Sequence, residues 1–251
     1  MEEHTEIIEN SGGKPLTSNA IKYIATVAML IDHIAWCFVD TSSMLGQIMH
    51  IIGRITAPIM CYFIAEGYHY TKNVKMYLLR LGIFALISWF PFVYMEYGTL
   101  AVNITDGQIS LNPVQGVIYT LFLGLIALIS VHNETVPKPI RGFIVLIICG
   151  LSIIGDWPLF AIVWILLFDK FHGDFKKQAI AFAASSVILI VLIFGKNLTD
   201  SLFQFGVLLA LIPLYFYNGK RGKGGSFCKW FFYIFYPLHL AILGILKYNI
   251  F

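Results

Sequence analysis

The sequence has few charged residues. Only 12% of its 251 residues are Asp, Glu, Lys or Arg, about half of the roughly 25% that is usual in soluble domains. The formal net charge is only +3, and no basic run is interleaved with aromatic residues, as a nucleic-acid-binding surface would be. This composition argues against a soluble domain, and we expect no nucleic-acid partner.

Several motifs of soluble enzymes and metalloproteins are also missing. The four cysteines show neither CxxC nor Cys/His spacing, so neither a zinc site nor a disulfide framework is predicted. There is no Gly-rich phosphate loop, GxSxG elbow or HExxH motif, which removes the common signatures of nucleotide binding, serine hydrolysis and zinc proteolysis. We therefore expect no metal cofactor.

Apolar residues dominate what is present. They make up 58% of the chain, and the mean hydropathy is +0.78. We expect each apolar run to be helical, because a membrane-spanning segment must satisfy its own backbone hydrogen bonds. The predicted fold is all-α, a polytopic integral membrane helical bundle of about nine transmembrane helices, in a cell membrane. The apolar runs are near 20–39, 47–70, 75–95, 113–131, 140–155, 157–171, 178–195, 201–217 and 229–249.

Domain organisation is predicted to be simple. A mobile polar tail over residues 1–19 precedes a single transmembrane helical domain over residues 20–251. The two short runs between residues 140 and 171 meet at a Gly-Asp-Trp-Pro turn, so they form either two short spans or one re-entrant hairpin.

The basic residues predict a cytoplasmic N-terminus, because cytosolic connections of membrane proteins are rich in Lys and Arg. With that orientation the opposite side carries only Lys196 and Lys247. The connection over 218–225, NGKRGKGG, is either a positive-inside anchor or a contact for an anionic cytosolic ligand. The cytosolic connections carry Lys72, Lys75, Lys138, Arg141, Lys170, Lys176, Lys177, Lys220, Arg221, Lys223 and Lys229.

The most informative stretch is 21–67, where Asp32, His33, Arg54 and Glu66 lie inside two apolar runs. A charge in hydrocarbon costs roughly 2.5–3.5 kcal/mol on insertion scales, so it is retained where it is paired or used. At about 1.5 Å per helical residue, Asp32 and Arg54 reach a similar depth from opposite ends of their spans. We predict an Asp32–Arg54 ion pair, which serves either a reactive site or only the attachment of the two spans.

Histidine in such a cluster suits proton transfer, because its pKa is near neutrality. Adjacent helical residues point about 100° apart, so Asp32 is assigned to Arg54 and His33 is left as the reactive group. His239, in the sequence YPLHL beside Tyr236, is a second candidate. The alternative for His239 is a hydrogen-bonded core histidine at a proline kink.

Four further charged residues lie at the predicted cytosolic ends of the spans. Lys22 is eleven residues before His33, close to three helical turns, so the two share one face. Glu66, Lys72 and Arg80 are at a comparable depth. Each of the four either anchors a helix at the interface or contacts a ligand.

Three segments carry a family resemblance. LTSNAIKYIATVAMLIDHIAW, HIIGRITAPIMCYFIAEGYHYTKNVKMYLLRLGIFALIS and WFFYIFYPLHLAIL resemble the TraX family, whose namesake is linked to N-acetylation of conjugative pilin, and more widely the transmembrane acyltransferases. The IDH, GR…P and EG elements carry most of it, and the match is strongest from 21 to 88.

The resemblance implies an acetyltransferase that takes an acetyl group from cytosolic acetyl-CoA. His33 would be the general base, Asp32 and Arg54 would hold the catalytic site, and Lys22 stands where the wider group commonly has arginine. We expect the donor to enter from the cytosolic side, with contacts at Lys22, Glu66, Lys72, Arg80, Tyr236 and His239 and without a metal.

Other features of the activity stay open. The acceptor is a peptide amine, a sugar hydroxyl or a small molecule, and a homo-oligomer is possible. The alternative function is a proton-coupled small-molecule transporter, because embedded Asp, His, Glu and Arg residues also form proton relays.

Overall fold

The structure is a computed structural model and describes residues 13–105, 108–195 and 201–250. It is a helical bundle with one small hairpin. Its helices are α1 Ser18–Phe38, α2 Met44–Gly53, α3 Thr56–Tyr70, α4 Val74–Tyr97, α5 Val117–His132, α6 Lys138–Leu151, α7 Phe160–Lys170, α8 Phe175–Phe194, α9 Leu211–Tyr215 and α10 Gly225–Asn249, with 3₁₀ segments Ser152–Ile154 and Leu202–Ala210 and strands β1 Val102–Thr105 and β2 Gln108–Leu111.

The helices run between two ends of the bundle. At one end, Leu16 pairs with Tyr217 and His69 contacts Asp169; we call this the basic end, because the Lys- and Arg-rich connections named above join helices there. At the opposite end Gln115 pairs with Gly155. The ends of successive helices therefore alternate between two surfaces, as in a membrane-spanning bundle.

Five helical segments are long and apolar enough to cross a membrane. The helices over Val117–His132 and Leu202–Tyr215 are apolar but shorter, and α6 and α7 are shorter than a typical span of about 20 residues. Helical membrane character is thus supported, whereas the prediction of about nine transmembrane helices is not confirmed. The five segments are Ser18–Phe38, Met44–Tyr70, Val74–Tyr97, Phe175–Phe194 and Phe227–Asn249.

The two short runs between residues 140 and 171 form separate helices that lie along α5. At the basic end Arg141 donates to the Val131 carbonyl oxygen at 2.7 Å, and at the opposite end Tyr119 donates to the Leu151 carbonyl oxygen at 3.2 Å. Helix α7 then returns, bringing Asp169 beside His132. Both helices therefore run between the two ends of the bundle.

The β1–β2 hairpin and the N-terminal tail need separate comment, because neither belongs to the predicted set of helices. The antiparallel hairpin of β1 and β2, with Ile104 opposite Ile109, is an element that the all-α prediction did not include. Residues 1–12 of the predicted tail lie outside the described residues, as does Lys196. The tail's last residues are hydrogen-bonded, with Leu16 donating to the Phe216 carbonyl oxygen at 3.1 Å.

Proline determines where the second long segment breaks. Pro58 lacks an N–H and its ring crowds the carbonyl four residues earlier, which belongs to Arg54. Accordingly α2 ends at Gly53 and α3 begins at Thr56. The break in this segment therefore occurs at Arg54 itself, and it places this guanidinium at a helix break that faces α1.

Candidate functional site

Asp32 is the centre of a buried polar network between α1 and α2. Its carboxylate accepts from Arg54 Nη2 through a short contact and bonds His50 Nδ1 at 2.8 Å. The His50 side chain is 0% exposed and that of Asp32 11%. The predicted Asp32–Arg54 ion pair is confirmed, and His50 is an additional member. We call Asp32, His50 and Arg54 the embedded network.

Close packing brings this network together. A Cβ atom at Gly53 would overlap the Asp32 side chain, so only glycine lets α2 approach α1 so closely. The Arg54 guanidinium carbon lies 4.9 Å from the Trp157 ring centre and 5.5 Å from that of Phe203. Arg54 Nε has no hydrogen-bond partner among the described residues. The aromatic rings and the contact with Asp32 together hold the guanidinium in place.

His33 lies beside the network but does not bond Asp32. Its Nδ1 atom is 2.7 Å from Nε2 of His239 on α10, and the two rings stack with centroids 4.9 Å apart. The Nδ1 atom of His239 is 2.8 Å from the carbonyl oxygen of Phe235. His33 is 9% and His239 5% exposed. The structure thus joins the two predicted intramembrane histidines directly.

A cavity of about 480 Å³ enters the bundle from the basic end. Among the described residues that line it, none is acidic. Its deep part is apolar and is bounded by Met29, Val117, Ile118 and Tyr236, whereas its outer part carries basic side chains. These are Lys22, Lys72, Arg80, Arg221 and Lys229.

Some of the predicted donor contacts line this cavity and others do not. Lys22, Lys72, Arg80 and Tyr236 line it, whereas Glu66, His33 and His239 are not among its lining residues. Tyr236 connects the two regions, because its ring is 6.3 Å from that of His33 and its hydroxyl accepts from the Val117 N–H at 3.1 Å. Its side chain therefore stands between the deep end of the cavity and His33.

Glu66 belongs instead to a second polar cluster at the basic end. Its Oε1 atom is 3.0 Å from Nε2 of His172, whose ring stacks on His69 with centroids 4.0 Å apart. Asp169 bonds both His69 and His132, at 2.8 and 2.9 Å. The hydrogen bond to Glu66 raises the pKa of His172. We call Glu66, His69, His132, Asp169 and His172 the rim cluster.

The rim cluster does not form a metal site in the residues that the structure describes. No group of three or more His, Cys, Asp or Glu side chains there is arranged to hold a metal ion. Each imidazole of the cluster instead donates a hydrogen bond to a carboxylate, so the side chains pair with one another.

Several members of these sites were not assigned from the sequence. His50 lies four residues before Arg54, so the two share a helical face, and that spacing was an available signal. The sequence indicated only that Lys229 and Arg221 belong to basic connections between helices. They come from the far end of the chain, and no local pattern indicates that they meet Lys22 at one cavity.

Together these features define a helical, membrane-type protein with a basic cavity that leads toward a buried pair of histidines. The model of the family described as TraX protein matches residues 17–247, and the chain therefore belongs to that family. It is similar to a probable fimbrial assembly protein, FimC, serogroup H1, of Dichelobacter nodosus, with 29% identity over 231 residues, covering 89% of this chain and 92% of the relative. No solved structure matches the chain significantly.

Proposed function

We propose that this protein is a membrane-embedded acetyltransferase that moves an acetyl group from acetyl-CoA to an amine or hydroxyl acceptor, with His33 as general base. The observation that carries this proposal is the basic cavity, whose deep end lies at Tyr236 beside His33. The proposed orientation places the basic end in the cytosol, where acyl-CoA is available. No metal takes part in the proposed reaction.

The charges of the cavity suit coenzyme A. The coenzyme carries several phosphate groups at one end and a thin, mostly uncharged arm ending in the thioester at the other. Five basic side chains surround the outer part of the cavity, and its deep part is apolar. Arg80 lines the cavity and its Nε atom has no hydrogen-bond partner among the described residues. Its guanidinium suits a phosphate oxygen.

Lys22 lines the cavity, where it is placed to contact the donor, and Glu66 is a nearby opposite charge that does not pair with it directly. Its ammonium lies 4.8 Å from the centre of the Phe63 ring, and no salt bridge to it occurs in the described part of the chain. Cations held against an aromatic face keep their charge available to an anion approaching from the other side. Lys22 thus serves as a point charge for the phosphates nearest the helices.

The proposed reaction balances without a further reactant. The Nε2 lone pair of His33 takes the proton of the acceptor N–H or O–H as the acceptor atom attacks the thioester carbonyl carbon. The C–S bond then breaks, and the proton on His33 passes to the departing thiolate, giving free coenzyme A and the acetylated acceptor. Arg54, held by Asp32, stabilises the negative charge that develops on the carbonyl oxygen.

Tyr236 has to move for this transfer. The cavity ends at its side chain, and His33 lies on the other side. A rotation of the Tyr236 ring breaks the hydroxyl contact with Val117 and joins the cavity to His33. Side-chain rotations of this kind are common steps before chemistry.

The acceptor is proposed to be a peptide amine. The relative from Dichelobacter nodosus is called a probable fimbrial assembly protein, and the resemblance noted above connects the family's namesake with pilin acetylation. A pilus subunit is therefore the first acceptor to test, before sugars and small metabolites.

The direct test is acetyl transfer from labelled acetyl-CoA by the purified protein in lipid, with His33→Ala as the variant. His132→Ala is the matched control, because His132 is a partly exposed imidazole of the rim cluster. We expect loss of turnover by at least about 100-fold in the first variant and little change in the second. Full turnover by a folded His33→Ala protein would remove the proposed role of His33.

Donor binding is tested separately by measuring the affinity for coenzyme A over a range of salt concentrations. Arg80→Gln and Lys22→Gln should each weaken binding about 10-fold, since a charged hydrogen bond contributes about 1.5–3 kcal/mol. Lys247→Gln, at the opposite end, should leave it unchanged. Substrate uptake by proteoliposomes without an acyl donor, together with no binding of coenzyme A, would instead support the transporter.

A further inference from the structure

We propose that His239 is a positioning residue that selects the reactive nitrogen of His33 and shares its positive charge during acetyl transfer. This inference rests on the proposed function and makes it more specific. It comes from three ring nitrogens and one carbonyl oxygen whose donor and acceptor roles are linked.

The backbone determines the first role. The Phe235 carbonyl oxygen can only accept a hydrogen bond, so the Nδ1 atom of His239, at 2.8 Å, must carry the hydrogen. A neutral imidazole has one N–H, which leaves Nε2 of His239 as an acceptor. The tautomer of His239 is therefore set by its own helix.

The second histidine follows from the first. Nε2 of His239 accepts, so Nδ1 of His33, at 2.7 Å, donates and carries the hydrogen of the neutral ring. The lone pair of His33 is then on Nε2, which has no hydrogen-bond partner among the described residues. The pair thus presents one basic nitrogen, and it is the atom that the proposed reaction requires.

The same contact accommodates the proton once it has been taken up. When Nε2 of His33 is protonated, its ring is an imidazolium, and the Nδ1 proton can pass to Nε2 of His239. His239 then donates from both nitrogens, to His33 and to the Phe235 carbonyl oxygen. The proton returns by the same contact when the thiolate leaves, so no atom or charge is lost.

A second imidazole takes the place that a carboxylate has in the familiar triad. Asp32 is already bonded to His50 and Arg54, so it acts on His33 only through space. The Arg54 guanidinium is another nearby charge. The Tyr236 ring faces His33 from α10 at 6.3 Å, and its hydroxyl accepts from the Val117 N–H. None of these groups occupies the Nδ1 atom of His33, which leaves His239 as its partner.

The test compares two substitutions of His239 that separate hydrogen bonding from packing. His239→Gln keeps an acceptor near the former Nε2 position, whereas His239→Phe keeps a ring against Phe235, whose ring is now 4.8 Å away, but has no acceptor. We expect kcat to fall about 100-fold in the Phe variant and about 10-fold in the Gln variant, with KM for acetyl-CoA unchanged.

The relative kcat values of the two variants distinguish hydrogen bonding from packing. A role in packing alone predicts that Phe is tolerated better than Gln, and that result would overturn the proposal. The pH profile adds a second readout: because His33 must be unprotonated to act as the general base, loss of the shared proton should move the acidic limb of kcat in both variants.

Nitrogen NMR of labelled histidine tests the tautomer without requiring turnover. We expect the His33 hydrogen on Nδ1 in the unmodified protein and a mixture of tautomers in the Phe variant. A His33 hydrogen on Nε2 in the unmodified protein overturns the inference even if acetyl transfer is observed. Absence of transfer with the expected tautomer instead rejects the proposed function and leaves the hydrogen-bond assignment standing.

Discussion

The embedded network and the rim cluster both pair histidines with carboxylates but differ in the access of their imidazoles to water. In the embedded network, the His50 side chain is 0% and the Arg54 side chain 9% exposed. In the rim cluster, His69 and His132 are 30% and 41% exposed. Both place imidazoles against buried carboxylates, with the Asp32 side chain 11% and the Asp169 side chain 7% exposed. The clusters differ in the exposure of their imidazoles and in the arginine that only the embedded network contains.

This comparison shows that similar histidine–carboxylate pairs have different consequences in different surroundings. Removing one partner of a buried ion pair leaves an uncompensated charge, which costs far more than the loss of a hydrated pair. The embedded network therefore maintains one arrangement of α1 and α2. In the rim cluster the pKa of His172 is raised by its hydrogen bond to Glu66, so the contribution of that pair to stability varies with pH.

The largest expected effect comes from Asp32→Ala. Arg54 and His50 would lose their common acceptor inside the bundle, so the free energy of unfolding should fall by about 3–5 kcal/mol. Denaturant titration of the protein in micelles measures this change. Asp169→Ala is the matched substitution in the rim cluster and should cost about 1 kcal/mol or less. Equal losses in the two variants would show that burial does not distinguish the clusters.

A smaller effect is expected from Gly53→Ala, which tests the close approach of α2 to α1. The added Cβ would overlap the Asp32 side chain, so we expect a loss of about 1–3 kcal/mol in the same unfolding experiment.

Gly142→Ala supplies the control for that substitution. Gly142 lies in α6 and has open space where the Cβ would be, so alanine should leave stability unchanged or raise it by up to about 1 kcal/mol. A similar loss at both glycines would argue against steric contact with Asp32 as the cause.

The smallest effect, under about 1 kcal/mol, is expected from His172→Gln, and it should depend on pH. Because the hydrogen bond to Glu66 raises the pKa of His172, the stabilisation is complete below the unfolded-state pKa of about 6.5 and is lost as the pH rises through the folded-state value. The melting temperatures of the two proteins should therefore differ more at pH 6 than at pH 9. Glu66→Gln should abolish this pH dependence, and a difference that grows toward pH 9 would contradict the assignment.

The parts of the site that were predictable are those that a single segment encodes. Asp32 and Arg54 stand out because charges are rare in apolar runs, and their depths follow from counting residues along two helices joined by a short connection. Pro58 likewise signalled a break, although its effect falls one turn earlier because the carbonyl that it crowds belongs to Arg54.

The parts that were not predictable depend on segments far apart in the chain. His33 and His239 are 206 residues apart, and Arg221 and Lys229 reach the cavity from the chain's last fifth. Glu66 appeared equivalent to Lys22 by depth, but the rotation of α3 directs it to His172 instead. Two residues at the same depth can therefore belong to different sites, the cavity or the rim cluster, because they lie on different helical faces.

The sequence by itself determined that this chain is a helical membrane-type protein of the TraX family with a charged pair inside its first spans. Hydropathy, helical period and the cost of an unpaired charge are properties of single segments, so they can be read without the fold. Only the tertiary structure decided which imidazole meets His33, which cations share the cavity and which polar groups remain in contact with water. Those outcomes depend on how the helices are rotated and packed against one another, and no single segment specifies that arrangement.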